Sequence, residues 1–222
     1  MKKIFTLSFL LLSLLVTTTH AQTKVGIRAG LNSATWKGDA TQSLNDLVNI
    51  TKGYVDTRGR TSFHIGGYVN VPFSPGISIE PGVFYSQKGY ALRGDIEISK
   101  LDFLGANASL QVQSHYIDIP LLLKVTPVKG LQLFAGPQVS YLAKNNLNVN
   151  GGLLGISLIN RNMDITSHFN QFDMAIVGGI GYKLDNGFSV TAGYDHGLSR
   201  LDKNSNFKSY NRVFKVGIGF EF

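Results

Sequence analysis

The amino-acid sequence predicts an all-β protein, an eight-stranded antiparallel up-and-down transmembrane β-barrel, and three observations predict it. Eight stretches alternate apolar residues with small or polar ones, which is the period of a strand with two different faces. The connections between these stretches alternate between short and long. Charged residues are only 16% of the 222 residues, 25 residues are glycine, and no apolar run in the body of the chain is long enough for a spanning helix.

The first 21 residues are interpreted as a signal peptide. A basic start is followed by an apolar stretch over residues 4–16 and by small residues ahead of a cleavage site. We expect cleavage between Ala21 and Gln22, which leaves a barrel domain over residues 22–222. A membrane anchor is the alternative, but the apolar stretch is short of the about 20 residues that a spanning helix needs. Cleavage removes two lysines and no acid, so the net charge falls from +7 to +5.

Four predicted strands lie in the first half of the barrel domain, over residues 24–32, 63–73, 77–86 and 116–125. Each is close to the 9–11 residues that a tilted strand needs to cross a bilayer. Their apolar faces are, in order, Val25, Ile27, Ala29 and Leu31; Phe63, Ile65, Gly67, Val69, Val71 and Phe73; Ile77, Ile79, Pro81, Val83 and Tyr85; and Ile117, Ile119, Leu121, Leu123 and Val125.

The other four predicted strands cover residues 131–141, 172–184, 188–194 and 214–222. Their apolar faces are Leu131, Leu133, Ala135, Pro137, Val139 and Tyr141; Phe172, Met174, Ile176, Gly178, Ile180, Tyr182 and Leu184; Phe188, Val190, Ala192 and Tyr194; and Phe214, Val216, Ile218, Phe220 and Phe222. The ending with Phe220 and Phe222 resembles the C-terminal strand that the outer-membrane assembly machinery recognises. We therefore expect these two residues to act as an assembly signal.

The connections place the two ends of the predicted barrel on different sides of the membrane. Short turns join strands two and three, four and five, and six and seven; the last of these contains an Asn-Gly pair that suits a tight hairpin. The other connections are long, at about 37–61, 90–114, 144–170 and 196–210. Short periplasmic turns and long extracellular loops are the layout of outer-membrane barrels.

The faces opposite the apolar ones are predicted to line the lumen. A bilayer leaves no backbone polar group unpaired, so strands span it as a closed barrel, with apolar residues facing lipid. The lumen face carries charges of both signs, which favours ion pairs across the interior. The predicted lumen charges are Lys24, Arg28, Glu80, Asp118, Lys124, Asp173, Lys183, Asp195, Lys215 and Glu221. Aromatic residues near the strand ends are expected to form interfacial girdles; they are Phe73, Tyr85, Tyr141, Tyr182, Phe188, Tyr194 and Phe222.

Five stretches together resemble one family, the PorT-like outer-membrane β-barrel proteins of Bacteroidota-type bacteria. These stretches are residues 26–32 (GIRAGLN), 79–89 (IEPGVFYSQKG), 116–124 (YIDIPLLLK), 135–139 (AGPQV) and 211–222 (NRVFKVGIGFEF). The resemblance covers the whole mature chain and implies a small porin-like barrel in the cell outer membrane. It brings no catalytic residues, and because a fold does not determine a function, it leaves the role open. An unknown surface partner or a secretion-system partner is among the expectations it raises.

Motifs for catalysis or cofactor binding are weak in this sequence. The chain has no cysteine, which excludes disulfides, thiolate metal sites and cysteine nucleophiles. The histidines have no metal-ligand spacing, and no Walker A or dinucleotide fingerprint follows a strand. We therefore expect no cofactor, no metal and no enzyme activity. The one grouping that invites an enzyme interpretation is Asp195 and His196 with Ser199, which would fit a lipid-modifying enzyme only if the three side chains converged.

The positive charge indicates lipid more than nucleic acid. The cations form no basic run, and the signal peptide excludes a cytoplasmic site, so no nucleic-acid partner is expected. Outer-membrane lipid and its anionic lipopolysaccharide are the better partners, although solubilising loop charge is a simpler explanation. The cations expected near the outer rim are Lys37, Arg58, Arg60, Arg93, Arg200, Lys203, Lys208 and Arg212.

Three function classes remain open. The first is a structural or binding barrel that acts through its extracellular loops and is no general diffusion pore. The second is a narrow passive porin-like channel. The third is a secreted lipocalin-type barrel, which requires apolar residues inside and polar ones outside; here the charges are on the face opposite the apolar one, so this class fits poorly. An eight-stranded barrel has an interior that side chains can fill, which favours the first class.

Overall fold

The computed structural model describes residues 23–38, 55–96, 106–153, 156–203 and 208–222. Within these ranges the chain forms nine strands and one 3-10 turn, Thr166–His168. Within the same ranges, no helix is long and apolar enough to cross a membrane. The strands are β1 (Lys24–Gly38), β2 (Val55–Ser74), β3 (Ile77–Ile96), β4 (Ala106–Val128), β5 (Leu131–Leu153), β6 (Ile156–Asp164), β7 (Phe172–Lys183), β8 (Phe188–Gly197) and β9 (Ser209–Glu221).

Eight of these nine strands close into a ring, and all the pairings are antiparallel. Each strand from β1 to β5 pairs with the next, β5 pairs with β7, β7 with β8 and β8 with β9. The ring closes between the first and the last strand, where Gly26 lies opposite Glu221. The ninth strand, β6, pairs with the upper part of β5 and is outside the ring. The predicted fold class, an eight-stranded antiparallel barrel, is confirmed.

The two faces of each strand differ as the alternation requires. In β1, Val25 and Ile27 are 55% and 54% exposed on the outer surface, whereas Arg28 is only 9% exposed in the interior. The outer surface is a continuous band of large apolar side chains, which is stable only where lipid replaces water. The interior is filled by polar and aromatic side chains.

Tight turns join the strands at one end of the barrel, which we call the turn end. Gly76 and Gly130 lie in two of these turns with φ values of 76° and 86°. Such backbone angles favour glycine because a side chain would clash with the carbonyl. The opposite end, where β1, β3, β5 and β8 stop and β2, β4 and β9 begin, is called the loop end.

The long connections predicted at 90–114 and 144–170 are wrong as loops, because most of their residues are strand. β3 continues to Ile96, β4 begins at Ala106, and β5 continues to Leu153 before the chain folds back as β6. Part of the predicted connection at 37–61 is also strand, because β2 begins at Val55. The physical reason is that these segments have polar residues on both faces, so the apolar alternation used to find strands ends where the membrane ends.

The extensions make the loop end tall. β4 has 23 residues, which at about 3.3 Å per residue gives a length of about 75 Å. A tilted strand crosses an apolar band about 25 Å tall with roughly 10 residues. About half of β4 therefore stands outside the apolar band, on the loop-end side.

Candidate functional site

The interior of the barrel is held by a set of charged side chains that we call the lumen network. It combines five cations with five carboxylates, so its formal charges cancel. Eight of its members are at most 9% exposed, and the other two, Lys183 and Lys215, pair with carboxylates that belong to those eight. The members are Arg28, Glu80, Lys88, Asp118, Lys124, Asp173, Lys183, Asp195, Lys215 and Glu221.

At the turn end, two glutamates are held by three cations. Arg28 donates to Glu80 at 2.9 Å, and Lys124 donates to the other oxygen of the same carboxylate. Lys183 donates to Glu221, and Lys124 lies 3.8 Å from that carboxylate. Lys124 therefore joins both glutamates into one group. The Arg28 guanidinium also stacks 4.4 Å from the centre of a buried tyrosine ring, that of Tyr68.

At the loop end, the carboxylates that pair with lysines are aspartates. Lys88 donates to Asp118 at 2.8 Å and to the Ser140 hydroxyl at 3.2 Å. Lys215 lies 3.2 Å from Asp118 and 2.6 Å from Asp195, so it bridges the two carboxylates. The four charged residues come from four strands: Lys88 from β3, Asp118 from β4, Asp195 from β8 and Lys215 from β9. They are close together because the inward faces of these strands face one another across a narrow ring.

A small apolar layer lies in the wall at the level between the two charged groups, beside a cavity that Arg28 of the turn-end group and Asp195 and Lys215 of the loop-end group line. Leu122, Phe134 and Val177 form a buried cluster in the interior. The cavity beside them has a volume of about 50 Å³, roughly that of one or two water molecules. In the described part of the chain, the middle of the lumen is thus filled by side chains.

A larger polar cavity opens at the turn end, with a volume of about 350 Å³. Lys183 and Glu221 lie on its wall, together with Asp185 from the last tight turn. Lys24, which was predicted to lie in the lumen, is exposed at the rim of this cavity. The other nine predicted lumen charges have inward positions in the strands.

Sequence analysis missed Lys88, which is 1% exposed and central to the loop-end group. The third strand was predicted to end at residue 86, whereas β3 continues ten residues further, to Ile96. Lys88 has the same phase as Glu80 and Ser86, so continuing the alternation by one step would have placed it in the lumen.

The grouping that suggested an enzyme does not assemble. Asp195 is buried in the lumen at 2% exposure, whereas His196 is exposed on the outside, beside the Tyr194 ring. The Ser199 hydroxyl accepts a hydrogen bond from the backbone of Met174 at 2.9 Å. The barrel wall therefore lies between the acid and the histidine, and the three side chains cannot act as a triad.

The remaining predicted residues lie at the ends of the barrel. Phe220 packs against Phe188 and Phe222, with ring centres 4.9 and 5.1 Å apart, so the chain terminus contributes an aromatic cluster to the turn-end surface.

Ala21 and Gln22 lie outside the described residues, as does the predicted signal peptide. Four of the predicted rim cations are exposed: Lys37, Arg200, Lys203 and Lys208. Arg60 and Arg212 are half-buried, and the side chains of Arg58 and Arg93 are not among those that the structure describes.

Comparison with known proteins gives one family. A family model described as "Outer membrane protein beta-barrel domain" matches residues 20–203. No curated protein matches the chain.

Among solved structures, the chain is similar to Ail, the attachment invasion locus protein of Yersinia pestis, in complex with the heparin analogue sucrose octasulfate. The identity is 12%, the TM-score is 0.46, and the match covers 90% of this chain and 99% of that one. It is also similar to Neisserial surface protein A, at 9% identity and a TM-score of 0.40, covering 90% and 99% of the two chains. The outer membrane protease OmpT of Escherichia coli matches at 11% identity and a TM-score of 0.38, covering 94% and 100%.

Proposed function

Because this chain belongs to the family of outer membrane protein β-barrel domains and resides in the outer membrane, we propose that it is a closed barrel with a structural or binding role at its loop end. It is not a general diffusion pore. The observation that carries this proposal is the lumen network, with the apolar layer of Leu122, Phe134 and Val177 between its two charged groups.

The energetics of the lumen support the closed state. A solute of hexose size would have to displace paired charges on both sides of the apolar layer. Breaking a buried pair leaves an uncompensated charge and costs about 3–5 kcal/mol. Several such pairs would have to open together, since Lys124 and Lys215 each touch two carboxylates. An eight-stranded ring leaves no spare width that could compensate for them.

The loop end supports the binding part of the proposal. The paired extensions of β3, β4 and β5 continue beyond the apolar band, and binding residues are commonly found on such outlying segments. Exposed cations at this end include Lys37, Arg200, Lys203 and Lys208, which suits contact with the anionic headgroups of lipopolysaccharide. This contact is part of the proposal.

Three finer assignments are also proposed. Within its family the chain is of the PorT-like type; residues 1–21 are a signal peptide cut before Gln22; and Phe220 and Phe222 present the C-terminal strand to the assembly machinery. The aromatic cluster around Phe220 supports the last assignment, because it leaves Phe222 exposed at 71%. N-terminal sequencing of the protein purified from the membrane tests the cleavage site.

The test of the central proposal is electrical. The refolded mature protein in planar bilayers is expected to show no large, stable conductance, and proteoliposomes are expected not to swell in hexose. A large porin refolded in the same lipid is the positive control. Steady hexose-driven swelling of liposomes that contain this chain would contradict the proposal.

A narrow passive channel is the second candidate function. The observation that favours it is the polar turn-end cavity of about 350 Å³, whose wall includes Lys183 and Glu221 of the lumen network. Ion conductance that is small but steady, without hexose permeation, would support this candidate over the first.

A further inference from the structure

The strand β6 has a neighbour on one side only. The lower part of β5, residues 131–141, pairs with β7, and its upper part, residues 146–153, pairs with β6. β6 therefore stands above β7 in the wall. The next place around the wall lies above β8, which ends at Gly197. Within the described ranges, no strand pairs with the other edge of β6.

The register shows which backbone groups face that open edge. The Ile165 amide, immediately after β6, donates to the Asn145 carbonyl at 2.9 Å, so residue 165 points toward β5. In an antiparallel pair, successive residues alternate between pointing toward the partner strand and pointing away from it. Arg161 and Met163 therefore point their backbone groups toward β5. Asn160 and Asn162 point theirs toward the open edge.

The part of β6 that carries Asn160 and Asn162 has few features that protect an edge, and the register shift in its pairing with β5 lies earlier, opposite Ser157 and Ile159. Natural sheets block open edges with lysine, proline, bulges that turn the edge away or inward charges. The strand has no proline and no lysine; its charged residues are Arg161 and, at its end, Asp164. The Asp164 carboxylate is engaged by Thr166, which donates to it from its amide at 2.9 Å and its hydroxyl at 2.6 Å. Within the described part of the chain, the edge through Asn160 and Asn162 is thus without a partner strand.

A cavity continues the edge beyond the end of β6. Its volume is about 610 Å³, and its wall includes Phe169, Phe172, Gln171 and Lys203. The segment that carries Lys203 is bonded to the cavity wall, because the Asn170 amide group donates to two of its backbone carbonyls at 2.8 and 3.1 Å. A partner chain that pairs with β6 and continues past Asp164 would reach this cavity.

The charge around the edge selects the partner. Among the described residues beside the edge, exposed cations outnumber acids by four to two: Lys144, Arg161, Arg200 and Lys203 against Asp164 and Asp202. We propose that β6 is a docking edge on which an extended, acidic segment of a partner protein adds as a further strand. Backbone hydrogen bonds supply the affinity, and the cavity supplies side-chain selection. This inference rests on the proposed function, since it names a site for binding at the loop end.

The experiment uses the refolded mature protein in nanodiscs and a displayed library of random peptides as long as β6, nine residues. We expect enriched peptides to be rich in Asp, Glu and β-branched residues and to bind the protein in fluorescence anisotropy. Asn162→Pro removes an outward amide and no hydrogen bond to β5, so it should weaken peptide binding about tenfold or more. Asn162→Ala is the matched control; it keeps the amide and should change affinity less than about twofold.

Heat-modifiable gel mobility shows whether each variant is folded, and Asn160→Pro is the second blocking variant should Asn162→Pro not fold. Enrichment of no peptide, or equal binding to Asn162→Pro and the parent, overturns the inference. Equal losses in the Ala and Pro variants also overturn it, because the asparagine side chain would then be the contact. A dimer of the parent that Asn162→Pro abolishes in sedimentation makes a second copy the occupant and overturns the partner proposal. Binding that survives Asn162→Pro while bilayers stay closed rejects the edge but leaves the proposed function standing.

Discussion

At both ends of the lumen network one lysine joins two carboxylates, but the two ends differ in how many further partners the charged groups have. At the turn end, Lys124 lies between Glu80 and Glu221; at the loop end, Lys215 lies between two aspartates, Asp118 and Asp195. In both places one lysine joins carboxylates from strands that are far apart in sequence. The two ends differ in what remains when a partner is lost.

At the turn end every carboxylate has a second cation. Arg28 also holds Glu80, and Lys183 also holds Glu221. At the loop end two lysines pair with Asp118 and Asp195, while the third carboxylate, Asp173, accepts from the Asn211 side-chain amide at 2.7 Å. Among the described residues one oxygen each of Asp173 and Asp195 is buried without a hydrogen-bond partner. At the turn end both carboxylates therefore have two cations, whereas at the loop end Asp118 alone has two. The comparison indicates that redundant pairing makes the turn end the more tolerant of substitution, because the fully buried Lys88 has its carboxylate contact with Asp118.

The largest effect is expected at the loop end, from Asp118→Asn. Lys88 is 1% exposed, and its bonded carboxylate is that of Asp118 at 2.8 Å. Removing that charge leaves a buried ammonium uncompensated, which should lower the free energy of unfolding by about 3–5 kcal/mol. Urea unfolding of the refolded barrel in lipid vesicles, followed by tryptophan fluorescence, measures it. A loss below that of the turn-end variant described next would break the comparison.

The matched turn-end change, Glu80→Gln, is expected to cost less, about 1–3 kcal/mol. After the substitution Arg28 keeps its stacking on Tyr68 at 4.4 Å, and Lys124 keeps Glu221 at 3.8 Å. The same urea titration gives the value. Its ratio to the Asp118→Asn loss sharpens the estimate of how much redundancy contributes.

Replacing both members of the loop-end pair should restore most of the lost stability. In Lys88→Met with Asp118→Leu no buried charge of the pair is left, and apolar replacements of buried ion pairs are often neutral. Lys215 retains Asp195 at 2.6 Å in this variant. A double variant as unstable as Asp118→Asn alone would show that the pair contributes more than the avoidance of an unpaired charge.

The smallest effect is expected outside the lumen, at the exposed pair of Lys129 and Asp185 in two turns, whose nitrogen and oxygen are 2.7 Å apart. The hydrogen bond from Lys129 to Asp185 raises the pKa of that lysine above its ordinary value. A raised folded-state pKa stabilises the fold below the ordinary lysine pKa, about 10.4, and this contribution is lost as the pH rises through the folded pKa. Because both groups are solvated, Asp185→Asn should leave the urea midpoint unchanged at neutral pH. A clear shift of the midpoint at neutral pH would contradict this.

The membrane-spanning half of the fold could be predicted from the sequence because the bilayer imposes one rule on every strand. Glu80, Asp118 and Lys124 have the phase opposite to the apolar residues, and that phase alone assigns them to the interior. The same alternation already assigns Asp195 and His196 to opposite faces, which is the reason the suspected triad does not form.

The pairings within the lumen and the loop-end strands could not be predicted in this way. Which carboxylates meet Lys124 depends on the stagger of β4 against its neighbour β3, for Glu80, and against β9 across the lumen, for Glu221. Period-2 patterning carries no information about stagger. β6 lies beyond the apolar band, and polar residues occupy both its faces, Asn160 and Asn162 on one and Arg161 on the other, so it has no apolar stripe. Lys88 could have been predicted in part: its inward phase follows from the alternation, but it lies two residues beyond the predicted end of its strand at residue 86.

The closure of the ring between β1 and β9 has a consequence for how the protein forms. The Phe222 amide donates to the Val25 carbonyl at 2.9 Å, so the last residue of the chain bonds to a strand near its start. Contacts of such long sequence separation form late, because the entropy of closing the intervening loop must be overcome first. Until then the growing sheet has two unpaired margins, which lipid cannot solvate. A chain truncated within β9 would therefore remain an open, aggregation-prone sheet however well its other seven wall strands had paired.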